Sequence, residues 1–191
     1  ICKIIYKIIG NNMKTRKIIL LSSIAVLIFI YGIQLILNNK SPIKIYKLKE
    51  TPNKITITNQ NNEITLEKVE DIWYIKNTDF LADEDIIEEF IDSICNIKTL
   101  GIVSNSNAES ELERYGLNEI KTIKVNAFNS DKTIRSIIIG KDSVSPDHNY
   151  IRIDSFQNTL LAAGNLRNIF DKTIDDIKKE TDSEDNTTLD K

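Results

Sequence analysis

Hydrophobic positions along the chain follow three rhythms, and each predicts a different element. The first is unbroken. Residues 18–37 read IILLSSIAVLIFIYGIQLIL and carry no charge. At about 1.5 Å per residue such a helix spans roughly 30 Å, the hydrocarbon thickness of a bilayer. Ser22, Ser23 and Gln34 are its polar positions, and hydroxyls in a helix can bond back to carbonyls of the preceding turn. A buried core helix rarely stays apolar on every face over such a length.

The second rhythm has a period of two. In KITITNQNNEITLEK, Ile55 and Ile57 alternate with Lys54, Thr56 and Thr58, and beyond Asn59-Gln60-Asn61-Asn62 so do Ile64 and Leu66 with Glu63, Thr65 and Glu67. Alternation broken by turn residues predicts a β-hairpin. DIWYIK adds a third strand with Trp73 and Ile75 on one face. The rhythm then becomes helical. LADEDIIEEFIDSICNIK puts Ile86, Ile87, Phe90, Ile91, Ile94 and Ile97 on one stripe, with Glu84, Asp85, Glu88, Glu89 and Asp92 toward water. Asp83 is the expected N-cap. Acidic residues in this arrangement read as a solvated helix face, not a metal site.

The same succession recurs. TIKVNAFNSDKTIRSIIIGK predicts a second hairpin, NYIRI a third strand, TLLAA a candidate fourth, and the stretch after Gly164-Asn165 a helix with Leu166, Ile169, Phe170, Ile174 and Ile177 on one stripe. The expected fold class is α+β: a transmembrane helix followed by an antiparallel-sheet domain, residues 53–178, built from two β-β-β-α units at 53–97 and 120–178. Between the units lies NSNAESELERYGLNEI. Ser106 with Glu109 three residues on predicts a capping box, and Gly116 a left-handed helix stop with Leu112 and Leu117 as its hydrophobic pair. NNKSPIKIYKLKETP, residues 38–52, reads as an extended linker, and residues 179–191 as a disordered acidic tail.

Composition sharpens this picture. Hydrophobic residues make up 41% and charged residues 28% of the 191, enough for a packed core. The abundance of Ile, Asn and Lys suggests an AT-rich genome more than any function. Six basic and no acidic residues fall among the first 40, so the net charge of −3 leaves about −9 on residues 41–191. A domain so acidic repels phosphate backbones, and no nucleic-acid partner is expected. Residues 1–17 form a short basic tail; since Met13 is the single methionine, residues 1–12 read either as an over-extended gene start or as a cytoplasmic tail touching anionic lipid. The apolar run exceeds the usual signal-peptide core and no small-x-small cleavage pattern follows, so a retained single-pass signal anchor is expected. Lys14, Arg16 and Lys17 before it nearly balance Lys40, Lys44, Lys47 and Lys49 after it. A short tail normally stays inside while a long domain translocates, which favours an extracytoplasmic domain on the cytoplasmic membrane.

Read together, KITI…ITLEK…WYI, ADEDIIEEFIDSICNI, ERYGLNE, IIIGK and NYIRI resemble the domain of unknown function 4340 family of bacterial membrane-anchored proteins. The resemblance covers most of residues 45–170 and implies an N-terminal transmembrane helix with an extracytoplasmic α+β region. Two prolines common in such sequences are absent: Leu81 stands where one precedes the AD pair, and YGL is followed by Asn118-Glu119-Ile120. Relatives are often encoded beside ABC-transporter or gliding-motility-type components, which implies a membrane complex as partner.

Candidate chemistry is sparse. His148 is the single histidine and sits with Asp142, Ser143, Ser145 and Asp147 in KDSVSPDHNY. A membrane-tethered hydrolase using this 142–150 loop is the alternative reading, but Ser-His-Asp catalysis needs a strained nucleophile turn and an oxyanion hole, and crowded polar residues in one loop are what turns look like. Cys2 and Cys95 have no metal-ligand spacing and Cys95 reads as a packing residue. No phosphate-binding glycine loop occurs. No catalytic, cofactor or metal residue is therefore assigned and no cofactor is expected; the expected function is that of a non-catalytic accessory or binding protein. The Trp73, Tyr74 and Tyr150 strands are candidate contact surfaces, with core filling the stronger expectation for Trp73. A ligand or polysaccharide held between the two units has no pocket signature in the sequence.

Overall fold

A computed structural model describes residues 17–34, 43–60, 62–118 and 122–180. The chain divides into two compact units, Ile1–Ser41 and Pro42–Lys191. In the first, helix α1 spans Lys17–Gln34 with a mean hydropathy of 2.0 and no buried residue. Ser22 and Ser23 donate to the carbonyls of Ile19 and Leu20, both at 2.8 Å, so their hydroxyls are satisfied within the helix. The helix is long and apolar enough to cross a membrane, and its features suit a signal anchor and a signal sequence alike. The basic tail at 1–16, the end of the apolar run, the first part of the expected linker and the acidic tail from 181 lie outside the described residues.

The second unit is one nine-stranded antiparallel sheet with short helices. Its strands are β1 (Lys44–Lys47), β2 (Lys54–Thr58), β3 (Glu63–Val69), β4 (Ile72–Ile75), β5 (Asn96–Ser104), β6 (Ile123–Asn129), β7 (Lys132–Asp142), β8 (His148–Ile153) and β9 (Thr159–Ala163). Helices α2 (Glu84–Cys95), α3 (Glu109–Arg114), α4 (Leu166–Phe170) and α5 (Ile174–Ile177) interrupt them. The strand order is β1-β5-β9-β8-β7-β6-β2-β3-β4. The two expected β-β-β-α units therefore lie back to back. β2-β3-β4 meanders outward in one direction and β6-β7-β8 in the other, from a central seam where β2 and β6 pair antiparallel.

The register of that seam is centred on Thr56 opposite Asn126, which makes the two units equivalent by a two-fold rotation through the pair. The equivalence extends past the third strands. β9 lies against β8, and its counterpart in the first unit is a single bridge from Leu81 to Tyr74 of β4. Beyond each helix the chain crosses to the other unit. β5, which follows α2, pairs with β9, while Lys178, which follows α5, bridges Ala82. Each unit thus completes the edge of the other, and neither is a separate lobe.

Alternation supplies the core. Ile55, Ile57, Ile64 and Leu66 from the first unit face the same interior as Ile123, Val125, Ile137 and Ile139 from the second, all at most 3% exposed. Phe90 of α2 and Phe170 of α4, both fully buried, meet above the sheet with ring centroids 5.0 Å apart. The expected stripe on α2 is present: Asp83 accepts the N–H groups of Asp85 and Ile86, and Ile87, Phe90 and Ile94 are buried. Trp73 is 7% exposed and belongs to the core, as expected, whereas Tyr74 points outward.

Three sequence expectations are corrected. Ile97 lies on β5 rather than on the helical stripe, because α2 ends at Cys95 and the chain continues directly as a strand. The final helix is two short ones: Thr173 and Asp176 form a reciprocal capping box that restarts the helix after a break at Asp171–Thr173. Lys44–Lys47, within the expected linker, is an edge strand paired to β5; its hydrophobic alternation is only two residues deep, with Ile45 and Tyr46 on opposite faces.

The sheet is strongly curled. Arg135 on β7 places Nη2 3.5 Å from the Tyr46 carbonyl on β1, although β5, β9 and β8 stand between them. Flat strands would hold β1 and β7 about 19 Å apart. The guanidinium is 3% exposed, and its Nε lies 3.9 Å from the Asp154 carboxylate.

Replacing Phe90 or Phe170 by Ala is expected to cost about 3–5 kcal/mol each. The double variant should cost less than the sum, because both truncations open one shared cavity. Urea unfolding of the full chain in detergent, followed by the fluorescence of the single, buried Trp73, measures both. A second expectation concerns acid. Hydrogen bonds from Lys76 and then Lys54 hold the Glu67 carboxyl below its usual range. Its contribution is therefore present above the unfolded carboxylate pKa and fades as pH falls through the lowered folded value. Glu67→Gln should flatten that acid limb of the stability profile and leave a smaller difference from the parent at low pH than at neutrality.

Candidate functional site

The YGL segment is where local sequence and long-range packing meet. α3 closes with both bonds of a Schellman stop: Leu117 N–H donates to the Leu112 carbonyl at 2.7 Å, and Gly116 N–H to the Glu113 carbonyl at 3.0 Å. Gly116 has φ +65°, the left-handed conformation that glycine adopts without a Cβ penalty. The start of α3 departs from expectation. Its N-cap is Ala108, with no side-chain cap, so the Ser106–Glu109 capping box does not form. Ser106 instead gives its carbonyl to Arg152 Nη2 and accepts the Ala108 N–H on its hydroxyl, while Asn107 bonds Gln157. These contacts hold the segment extended until Ala108.

What the stop does is dock. Lys141 N–H donates to the Tyr115 carbonyl at 3.0 Å, at the irregular stretch of β7 between Ile139 and Asp142. A Cβ on Gly140 would strike that same carbonyl oxygen and come within 3.1 Å of the Tyr150 carbonyl; one on Gly116 would lie 2.9 Å from Lys141 N. The Tyr115 and Tyr150 rings meet at 4.8 Å, and Leu117 is buried. ERYGL, IIIGK and NYIRI, distant in sequence, form one joint.

A polar network continues from this joint to α4. Asn149 is fully buried; its Nδ2 donates to Asp142 at 2.7 Å and its Oδ1 accepts the Arg167 N–H at 3.1 Å. Arg167 Nη1 donates to the Gly140 carbonyl at 2.9 Å. Two shallow polar hollows flank Arg167, of about 230 Å³ beside Asn59, Asn62 and Thr122 and about 290 Å³ beside Asp142, Asn165 and Asn168. Small-molecule sites are usually larger and mostly apolar, with a few convergent polar groups; here the polar groups serve the joint.

The 142–150 loop is similarly occupied. Ser143 Oγ donates to the Ser145 carbonyl at 2.9 Å and accepts the Ser145 N–H, a local turn. The Asp142 carboxylate is taken by Asn149, and the His148 backbone pairs with Ser143 and Ser145. No described contact joins a serine hydroxyl to the imidazole. Among the described residues no three His, Cys, Asp or Glu side chains gather around a possible metal position. Cys95 is a free, partly buried thiol; burial raises its pKa and so lowers its reactivity. Cys2 lies outside the described residues. Period two puts Asn149 on the buried face with Ile151 and Ile153, but the network around it escapes sequence reading because alternation does not register its partners Asp142 and Arg167.

A family model described as Domain of unknown function (DUF4340) matches residues 73–182. Neither the curated proteins nor the solved structures give a match.

Substituting Ala for Gly116 is expected to cost roughly 1–2 kcal/mol from the left-handed backbone alone. Gly140→Ala should cost roughly 1–3 kcal/mol through overpacking against Tyr115. Because both act on one joint, thermal unfolding of the pair should show less loss than the two single values added. Full additivity would mean that Tyr115–Leu117 and Gly140–Lys141 are not energetically coupled.

Proposed function

The chain belongs to the DUF4340 family, and from that premise we propose that it is a single-pass, membrane-anchored accessory protein whose α+β domain works outside the cytoplasm without catalysis of its own. The observation that carries this reading is α1, whose apolar side chains are exposed on every face over 18 residues. Apolar surface of that extent on every face suits a hydrocarbon environment, where the helix satisfies its own backbone groups. The apolar run of the sequence is longer than the usual signal-peptide core, which favours retention over cleavage.

The non-catalytic part of the reading is supported by how the domain uses its polar groups. Asp142, Ser143 and Asn149, the side chains nearest to a hydrolase constellation, are committed to turns and to the joint with α4. The partner class proposed is a membrane complex of ABC-transporter type, as the family resemblance implies. Proteins of this form act by tethering: the anchor confines the domain to the membrane surface, which raises its effective concentration toward other membrane proteins.

Full-length protein should stay in the membrane pellet after alkaline carbonate washing, and a reporter fused after Lys191 should be active only when it works outside the cytoplasm. Release into the supernatant with the N-terminus intact would overturn the anchor. His148→Ala should fold normally and leave the cellular phenotype unchanged; loss of function in a folded His148→Ala protein would revive the hydrolase reading. Crosslinking in native membranes should recover transporter-type subunits.

A further inference from the structure

One sheet edge of the domain brings exposed apolar and basic side chains together on the segment that follows α1 in the chain. In β1, Ile45 stands opposite Lys98 of β5, and Lys47 lies two residues on, on the same face. Ile43, two residues before Ile45, continues that alternation. Ile43 is 50% and Ile45 45% exposed. β1 covers only Asn96–Thr99 of β5, so β5 continues past it with Ile102 57% and Val103 38% exposed. Apolar and basic side chains are thus mixed along one edge of a domain that is acidic overall. Carboxylates beside this edge have partners: Asp92 of α2 accepts from Asn96 Nδ2 at 2.7 Å, Glu50 faces Lys132 at 3.9 Å, and Glu111 at the open end of β5 accepts from Ser104 Oγ at 3.1 Å and pairs with Arg114.

Lysines along an open edge hinder pairing with another strand. The same lysines, placed among isoleucines, suit an anionic lipid surface, where apolar side chains enter the interface and ammonium groups meet phosphates. Chain length points the same way. Eight residues, 35–42, join Gln34 of α1 to Ile43. At about 3.3–3.6 Å each at full extension, they keep Ile43 within about 30 Å of the helix end.

We propose that the Ile43–Lys47 edge, with Lys98 and the open end of β5, is a docking surface for an anionic phospholipid bilayer. It rests on the membrane-anchored reading above and deepens it, since it sets which face of the domain is turned away from the membrane and left for partners. Ile43 and Ile45 enter the headgroup boundary, while Lys47 and Lys98 pair with lipid phosphates. The rest of the acidic domain is repelled by the same surface, so one orientation is selected.

The test uses the full chain with Cys2→Ser and Cys95→Ala, reconstituted in vesicles of phosphatidylcholine with a minority of phosphatidylglycerol, some lipids carrying a headgroup-level quencher. A fluorophore is attached at Ile45→Cys or, as a control on the β3–β4 turn, at Val69→Cys, with Trp73 emission reporting correct folding. Quenching is expected at position 45 and not at 69. It should fall by about twofold or more in pure phosphatidylcholine and in the Lys47→Glu/Lys98→Glu variant. Equal quenching at both positions, no quenching at 45, or insensitivity to lipid charge would overturn the proposal. So would a disulfide between two copies through position 45, which would make a second chain the occupant. Carbonate-resistant membrane association with an unquenched position 45 would sink this inference alone and leave the anchor standing.

Discussion

The antiparallel seam between β2 and β6 is the contact on which the domain is built, because it gives two otherwise open half-sheets one interior. A meander of three short strands leaves both of its outer strands with unpaired backbone groups, which invite pairing with another chain. Here the seam joins the two inner edges, α2 and α4 close over one face through Phe90 and Phe170, and the segments after the helices cross to finish the outer edges. The crossing matters most. A unit that depends on the other for an edge strand cannot be lost or rearranged alone, so two repeated patterns give one cooperative body.

The two halves are not used equally. The first passes from β4 to α2 through a single bridge at Leu81, whereas the second inserts a full strand, β9. The connection between them carries α3 and the YGL stop, which seats its Tyr115 carbonyl on Lys141 and its ring against Tyr150. Gly116 and Gly140 are there for the same reason from two sides: backbone approaches backbone too closely for a Cβ. The motif therefore fixes where the linker between the units crosses the second half-sheet, and its glycine is structural.

Much of this was legible. Alternation marked the hairpins and the Trp73 strand, helical spacing and an N-cap aspartate marked α2, and the glycine with its flanking leucines marked the end of α3 in the right register. The failures share a cause. β5 has no clean alternation, since its pairing with β9 slips at two places, and it follows α2 without a turn residue to announce the change. β1 is too short to show a period. Thr173 and Asp176 divide the last helix by a local bond that a hydrophobic stripe does not register. The capping box at Ser106 failed because Arg152, 46 residues away, claims the carbonyl that a helix start would have used. In each case a partner distant in sequence, or a bond invisible to periodicity, decided the outcome.

The broken symmetry also leaves the two outer edges of the sheet unlike each other. Of the two outer edges, one ends in β4 and is covered by Leu81–Ala82 and then Lys178, while the other ends in β1, which belongs to neither repeat. β1 is an addition, contributed by the segment that comes from α1. Arg135 reaches across the curl to its Tyr46 carbonyl, so the added strand is tied into the second unit through a buried cation as well as through β5. Displacing β1 therefore works against the ladder of β5 and the guanidinium together, and an edge strand that belongs to neither repeat is built into the sheet from two sides.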